Sequence, residues 1–161
     1  MKNITIRPLL AEDNLRIAQI IRSVLAEFGA NKPGTVYFDP TTDDLFNLFS
    51  IEGAAYFVAV AEGQIIGGSG IYPTTGLPAG FCELVKLYLI PEARGLGLGL
   101  RLMKTCFLKA AELGFSDIYL ETMPELRNAI GLYEKAGFSY LPGPLGKSGH
   151  FGCDLWMSKM L

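Results

Sequence analysis

The chain has 161 residues, half of them hydrophobic and 19% charged, with a net charge of −2 and a pI near 5.4. That length fits a single domain spanning 1–161 with a sizeable core, and the composition excludes a disordered chain. No basic run supports nucleic-acid binding, and no apolar run approaches the ~18 residues of a membrane span.

In chain order, Ile4 to Arg7 reads as a strand with Ile4 and Ile6 on one face, closed by Pro8. Glu12 to Phe28 reads as an amphipathic helix, with Leu15, Ala18, Ile21 and Leu25 at helical spacing and Gly29 as its stop. A loop with Pro33, Gly34 and Pro40 follows. Thr41 to Phe49 reads as a short helix, with Asp43 and Asp44 favourable in its first turn. Ala55 to Ala61 and Gln64 to Ile71 read as antiparallel strands joined at Glu62-Gly63. Phe81 to Ile90 is a long apolar strand, and Gly97 to Leu113 a helix closed by Gly114. Residues 117–122 read as a strand, 125–136 as a helix, Phe138 to Leu141 and Phe151 to Met160 as strands, with a glycine-rich loop over 143–149.

The densest signal lies between the long strand and its helix, in Pro91-Glu92-Ala93-Arg94-Gly95-Leu96-Gly97-Leu98-Gly99. Glycines opening a helix leave amide N–H groups unshielded at the positive end of the helix dipole, a ready anion site. Arg94 adds a positive charge at the mouth. No Gly-Lys-Ser/Thr follows, so this is not a P-loop, and the third glycine of a dinucleotide fingerprint is missing. Arg101 and Lys104 suit either a phosphorylated ligand or a solvated helix face.

A second signature follows one strand later: Ala129-Ile130-Gly131-Leu132-Tyr133-Glu134-Lys135-Ala136-Gly137-Phe138. The loop resembles the Arg/Gln-x-x-Gly-x-Gly/Ala loop of the GNAT family of N-acetyltransferases. The second segment resembles that family's Ala-x-x-Leu-Tyr-x-x-x-Gly-Phe run. Both occur in the family's order and separation, and the resemblance covers most of the chain. It implies an α+β fold with α/β-type layers: a mixed, mostly antiparallel sheet of about seven strands flanked by about four helices. The halves of that sheet splay apart after the fourth strand. It implies acetyl-CoA as co-substrate, with the pyrophosphate on Arg94, Gly95, Leu96, Gly97, Leu98 and Gly99. The acyl-pantetheine arm would lie along the backbone of Leu87 and Leu89. Many members carry asparagine seven residues before the tyrosine. Here that position is Leu126, and Asn128 is the nearest candidate for the contact.

Acetyl transfer to an amine needs a proton acceptor for the amine and a proton donor for the leaving thiolate. The resemblance makes Tyr133 the general acid. Two carboxylates compete as base. Glu83 lies in an apolar strand where a charge needs a cleft or a partner, and Glu121 ends the next strand. Either must titrate well above the ordinary ~4.3 to work near neutral pH. Lys86 is a possible partner for Glu83, but strand alternation places it on the opposite face.

The only histidine, His150, sits in a Gly-His-x-x-Cys turn bordering the acceptor pocket in the family. Tyr37 and Tyr72 are further candidates for lining that pocket. His150 and Cys153 have metal-like spacing without a second pair, so no metal is expected. The three cysteines are odd in number and widely spaced, and Cys82 and Cys106 read as core, which suits a reducing cytoplasm. The N-terminus lacks the apolar core of a signal peptide. No membrane partner is expected, and the low charge density is compatible with a homodimer. The sequence thus reads as a single-domain acetyltransferase acting on a small-molecule amine, with an amino acid or analogue as the expected acceptor. A protein N-terminus or lysine as acceptor, a non-catalytic acyl-CoA sensor, and a nucleotide-binding protein are the alternatives.

Overall fold

The computed structural model describes residues 3–161. The described strands are β1 (Ile4–Pro8), β2 (Ala55–Ala61), β3 (Gln64–Tyr72), β4 (Phe81–Leu89), β5 (Asp117–Thr122), β6 (Ser139–Leu141) and β7 (Leu155–Met160). The helices are α1 (Asn14–Glu27), α2 (Leu45–Leu48), α3 (Leu98–Glu112) and α4 (Arg127–Lys135). The seven strands form one sheet in the order β1-β2-β3-β4-β5-β7-β6. All neighbouring pairs are antiparallel except β4 and β5. This is the mixed, mostly antiparallel α+β sheet that the resemblance implies.

Strand alternation sorts the core into two faces. Ile17, Ile21 and Leu25 of α1 meet Tyr56, Val58 and Ile65 on one side of the sheet. On the other, Leu98 and Leu102 of α3 meet Ala59, Ala61 and Ile66, and Met103 and Cys106 meet Cys82, Leu84, Ile118 and Leu120. Successive residues, Val58 and Ala59 or Ile65 and Ile66, go to opposite faces, as the period of two requires.

Two features of β4 create the site. First, its parallel pairing with β5 lasts for three residues, Phe81 with Asp117, Cys82 with Ile118 and Glu83 with Tyr119, and then ends. Beyond Glu83 the strands part, which is the expected splay. Second, the β3–β4 register shifts between Gly68 and Gly70, and Lys86 stands at φ 52°. Such a bulge adds a residue to one strand and sharpens its twist. It also inverts the alternation. Cys82 and Leu84 face α3 before it, and Leu87 faces α3 after it, while Val85 and Tyr88 pack on the α1 side. The expectation that Lys86 points away from Glu83 is therefore wrong, because it assumed an unbroken period.

The other departures are local. A 3₁₀ turn over Ala11–Asp13 precedes α1, held where the Asp13 carboxylate accepts from the Leu10 amide at 2.8 Å. The expected helix over Thr41 to Phe49 divides into a 3₁₀ turn, Pro40–Asp43, and α2, because Asp44 (φ −139°) breaks it and caps the second piece. Strand β7 begins at Leu155 rather than Phe151. The backbone before it turns away, with Gly152 N–H donating to the Gly34 carbonyl at 2.8 Å. Among the described residues, no helix is long and apolar enough to cross a membrane.

Candidate active site

The gap between β4 and β5 holds a cleft of about 50 Å³. Glu83, Lys86, Glu121, Tyr133, His150 and Cys153 all line it. The two candidate bases and the candidate acid, 50 residues apart between Glu83 and Tyr133 in sequence number, thus share one space. Glu83 sits where pairing with β5 stops, so its carboxyl is 4% exposed yet borders the opening. Burial pushes its pKa up to about 7; the nearby Glu121 adds to this, while the Thr74 hydroxyl, which donates to Glu83 Oε2, and Lys86 oppose it. Glu121 is held differently. Tyr119 Oη donates to Oε1 at 2.8 Å and Ser148 Oγ to Oε2 at 2.6 Å. Each of its two oxygens is thus engaged by a hydroxyl donor.

Tyr133 projects from α4 and is buried among Leu120, Phe138 and Met157. Burial pushes its phenol above the ordinary tyrosine range, so it stays protonated at neutral pH. On the far side of the cleft, His150 Nε2 lies 3.2 Å from Asp39 Oδ2, and Lys86 Nζ lies 3.9 Å from the same oxygen. Asp39 is partly desolvated, which favours its protonated form, yet the Thr41 hydroxyl and amide, Lys86 and His150 hold it below the usual carboxylate range.

A larger cavity, about 540 Å³, adjoins this cleft. Leu87, Tyr88 and Leu126 line both spaces, so the two are neighbours across these three residues. The cavity floor is the glycine loop and the start of α3. Gly95 and Gly97 take left-handed φ values of 75° and 71°, and a Cβ on either would meet nothing within 4 Å. The loop is thus an open cradle. Gly97 is the N-cap of α3 and brings no capping side chain, so the first-turn amides of Leu98, Gly99 and Leu100 face the cavity unpartnered within the helix. That donor set fits an anionic phosphate group. Gly99 serves packing as well: a Cβ there would come 2.7 Å from Leu132 Cδ2 on α4.

Arg94 lines this cavity with its charge paired. Its guanidinium pairs with both carboxylate oxygens of Glu27 at 2.7 Å, donates twice to the Leu89 carbonyl at 3.1 Å, and lies 5.1 Å over the Phe28 ring. It lines the cavity as a neutralised, positioned group, not as a free charge. The Leu89 carbonyl is engaged by it. Lys135, from the last turn of α4, is a cation on the cavity wall that sequence reasoning missed. Asn128 lines the cavity from the first turn of α4, as does Leu126. Leu96 does not: its side chain is 53% exposed.

Tyr37 and Tyr72 are corrected too. Tyr37 packs edge-on against Phe38, and Tyr72 edge-on against Phe49, both beside the α1-side core and neither among the residues lining the cleft. Conversely Asp39, Thr74, Lys86, Tyr119 and Ser148 join the site without having been singled out as site residues. Only Lys86 carried a signal, a charge inside an apolar strand. Among the described residues no group of three or more metal-ligating side chains occurs.

Residues 19–138, three quarters of the chain, match the acetyltransferase (GNAT) family. The chain belongs to that family. GNAT enzymes are acyltransferases, and this chain is 43% identical to the uncharacterized N-acetyltransferase YjgM of Escherichia coli K12, over 96% of this chain and 93% of that protein. Its fold matches a GNAT acetyltransferase from Staphylococcus aureus Mu50 with a TM-score of 0.86 at 18% identity, covering 98% and 99% of the two chains. It also matches the PaiA N-acetyltransferase of Thermoplasma acidophilum, solved in complex with coenzyme A, with a TM-score of 0.78 at 20% identity and coverage of 99% and 100%.

Proposed function

We propose that this GNAT chain transfers an acetyl group from acetyl-CoA to the primary amine of a small molecule, an amino acid or analogue, by direct attack in a ternary complex. The observation that carries the reading is the shared cleft. Glu83, with its pKa raised to about 7, and a protonated Tyr133 line one cleft that shares Leu87, Tyr88 and Leu126 with the glycine-loop cavity. The coenzyme A complex of the Thermoplasma relative supports the same donor here.

Acetyl-CoA, when bound, supplies an acetyl group activated as a thioester. Gly95, Gly97, Leu98 and Gly99 would hold its pyrophosphate through their amides, with Lys135 and Asn128 on the opposite wall. The free edge of β4 at Leu87 would hold the arm. Glu83 is half ionised near neutral pH and accepts the proton of the incoming ammonium at its carboxylate. Tyr133 keeps a proton at Oη for the departing sulfur. Glu121, held by two donors, fixes charge and geometry. A small acceptor is favoured because the loops before and after the cleft are tied together: Gly152 bonds Gly34, His150 bonds Asp39 and Lys32 pairs with Glu125 at 2.8 Å. The three free cysteines, two of them buried, suit the cytoplasm.

The test is CoA release by thiol assay across amino acids, polyamines, aminoglycosides and short peptides, beside a calorimetric acetyl-CoA titration. Release with a small amine is expected. Release with peptides alone overturns the acceptor class. Neither release nor binding overturns the acetyl-CoA reading of the loop.

A further inference from the structure

Lys86 takes no part in the chemistry above, yet its placement is the most demanding in the cleft. Its backbone occupies the left-handed region at φ 52°, which a residue with a long side chain enters only against a steric penalty. The side chain is 4% exposed, and burial pulls its pKa down. A buried ammonium is unfavourable unless paired and hydrogen-bonded. Here the pairing is incomplete. The nearest carboxylate oxygen, Asp39 Oδ2, is 3.9 Å away, beyond hydrogen-bond reach, and no other group among the described residues accepts from Nζ.

The bulge that puts Lys86 there is held in place by neighbours on two other strands. Tyr56 Oη, from β2, donates to the Lys86 carbonyl at 2.8 Å. To reach it, the Tyr56 ring crosses β3 over two glycines. A Cβ at Gly68 would lie 2.6 Å from Tyr56 Cε1, and one at Gly70 2.6 Å from Cδ2. Three strands thus cooperate to turn one lysine into the acceptor cleft with its donors open.

Charge decides what those donors face. Glu83, Glu121 and Asp39 make the cleft attractive to an ammonium. Lys86 within it repels an acceptor carrying a second cation, and finds no partner on one whose only polar group is its amine. A zwitterion satisfies both signs. We infer that the Lys86 ammonium binds the carboxylate of the acceptor, beside His150, and that the acceptor is an α-amino acid or close analogue rather than a simple amine or polyamine. The inference rests on the acetyl-transfer reading of this cleft. Asp39 is the positioning residue, 3.2 Å from His150 Nε2 and 3.9 Å from Lys86 Nζ.

The experiment compares each common α-amino acid with its α-amide and its decarboxylated amine, in the wild type and in Lys86→Met and Lys86→Arg. The readouts are kcat/KM with acetyl-CoA and calorimetric binding to the CoA-loaded protein. In the wild type the acid is preferred over its amide by about 10- to 100-fold. Lys86→Met raises the KM of the acid and collapses the acid-to-amide ratio toward unity, while Lys86→Arg keeps the preference. Comparing that ratio between wild type and variant cancels the different basicities of the amines. Equal use of acid and amide by the wild type, which needs no variant to fold, overturns the inference and leaves the acetyltransferase reading standing. So does a Lys86→Met variant that lowers both members of a pair alike. No acetyl-CoA binding and no CoA release with any acceptor overturns both.

Discussion

The two halves of the site are built by different physics. The cofactor-side cavity is built on backbone: a strand edge, a glycine loop and the open amides of α3, all within residues 87–100, walled by Val24 and Phe28 at the end of α1 and by α4. The cleft proposed for the acceptor is made of side chains from β4, β5, α4 and the two loops that carry Asp39 and His150. The first binds through groups that every sequence has, freed by missing side chains. The second works through titratable groups that are costly to bury and must be supported by neighbours. Binding should therefore survive changes in the second half, and chemistry should survive gentle changes in the first.

The sharpest way to break that contrast is Glu83→Gln. It should lower kcat by about 10³-fold while leaving acetyl-CoA affinity in a titration unchanged. A parallel loss of affinity would show that the halves are not separable. In the wild type the acid limb of the kcat/KM profile should titrate near pH 7, and Glu83→Gln should abolish it.

The same variant reports on the cost of the buried acid. The folded pKa of about 7 lies above the ordinary 4.5, so the native state binds that proton more tightly than the unfolded chain. The associated stability is complete below about pH 4.5 and is lost as pH rises through about 7. Glutamine is neutral throughout. Glu83→Gln should thus be more stable than wild type by up to about 3 kcal/mol at pH 8, a Tm advantage that closes toward pH 4.5.

Tyr133→Phe should reduce kcat by about 10²-fold with little change in the KM for acetyl-CoA, read in the same thiol assay. On the other side of the contrast, Gly97→Ala meets no neighbour, so its effect is purely the left-handed backbone, about 1–2 kcal/mol. It should raise the KM for acetyl-CoA by about tenfold and spare kcat. The smallest effect belongs to Glu27→Gln. The Glu27–Arg94 pair is largely solvent-facing, so stability should move by no more than about 0.5 kcal/mol in thermal unfolding.

The cofactor half was legible in the sequence because its signal is local. The strand, the proline, the glycines and the helix that follows are consecutive, and each residue type states its own backbone requirement. The signature around Tyr133 was legible for the same reason. Glu83 stood out as a charge at an apolar strand position, and Glu121 as the carboxylate that ends the next strand. Tyr37 and Tyr72 misled because an aromatic residue in a loop or at a strand end looks alike whether it lines a pocket or the outer core. The pairing of Arg94 was not legible because its partner, Glu27, lies 67 residues away on another helix.

The sequence by itself determined the order of elements, the faces of each strand up to its first irregularity, the phosphate-ready loop and the family of the fold. These depend on periods of 2 and 3.6 residues and on the steric freedom of glycine, all of which act over a few neighbours. Only the tertiary structure decided the charge state and occupants of the acceptor cleft. His150 meets Asp39 across 111 residues. Lys86 joins Glu83 because a bulge, braced by Tyr56 from a strand 30 residues away, reverses an alternation that the local pattern had set. Desolvation then raises Glu83 toward neutrality, and desolvation is a property of what surrounds a residue in space, not of what adjoins it in the chain.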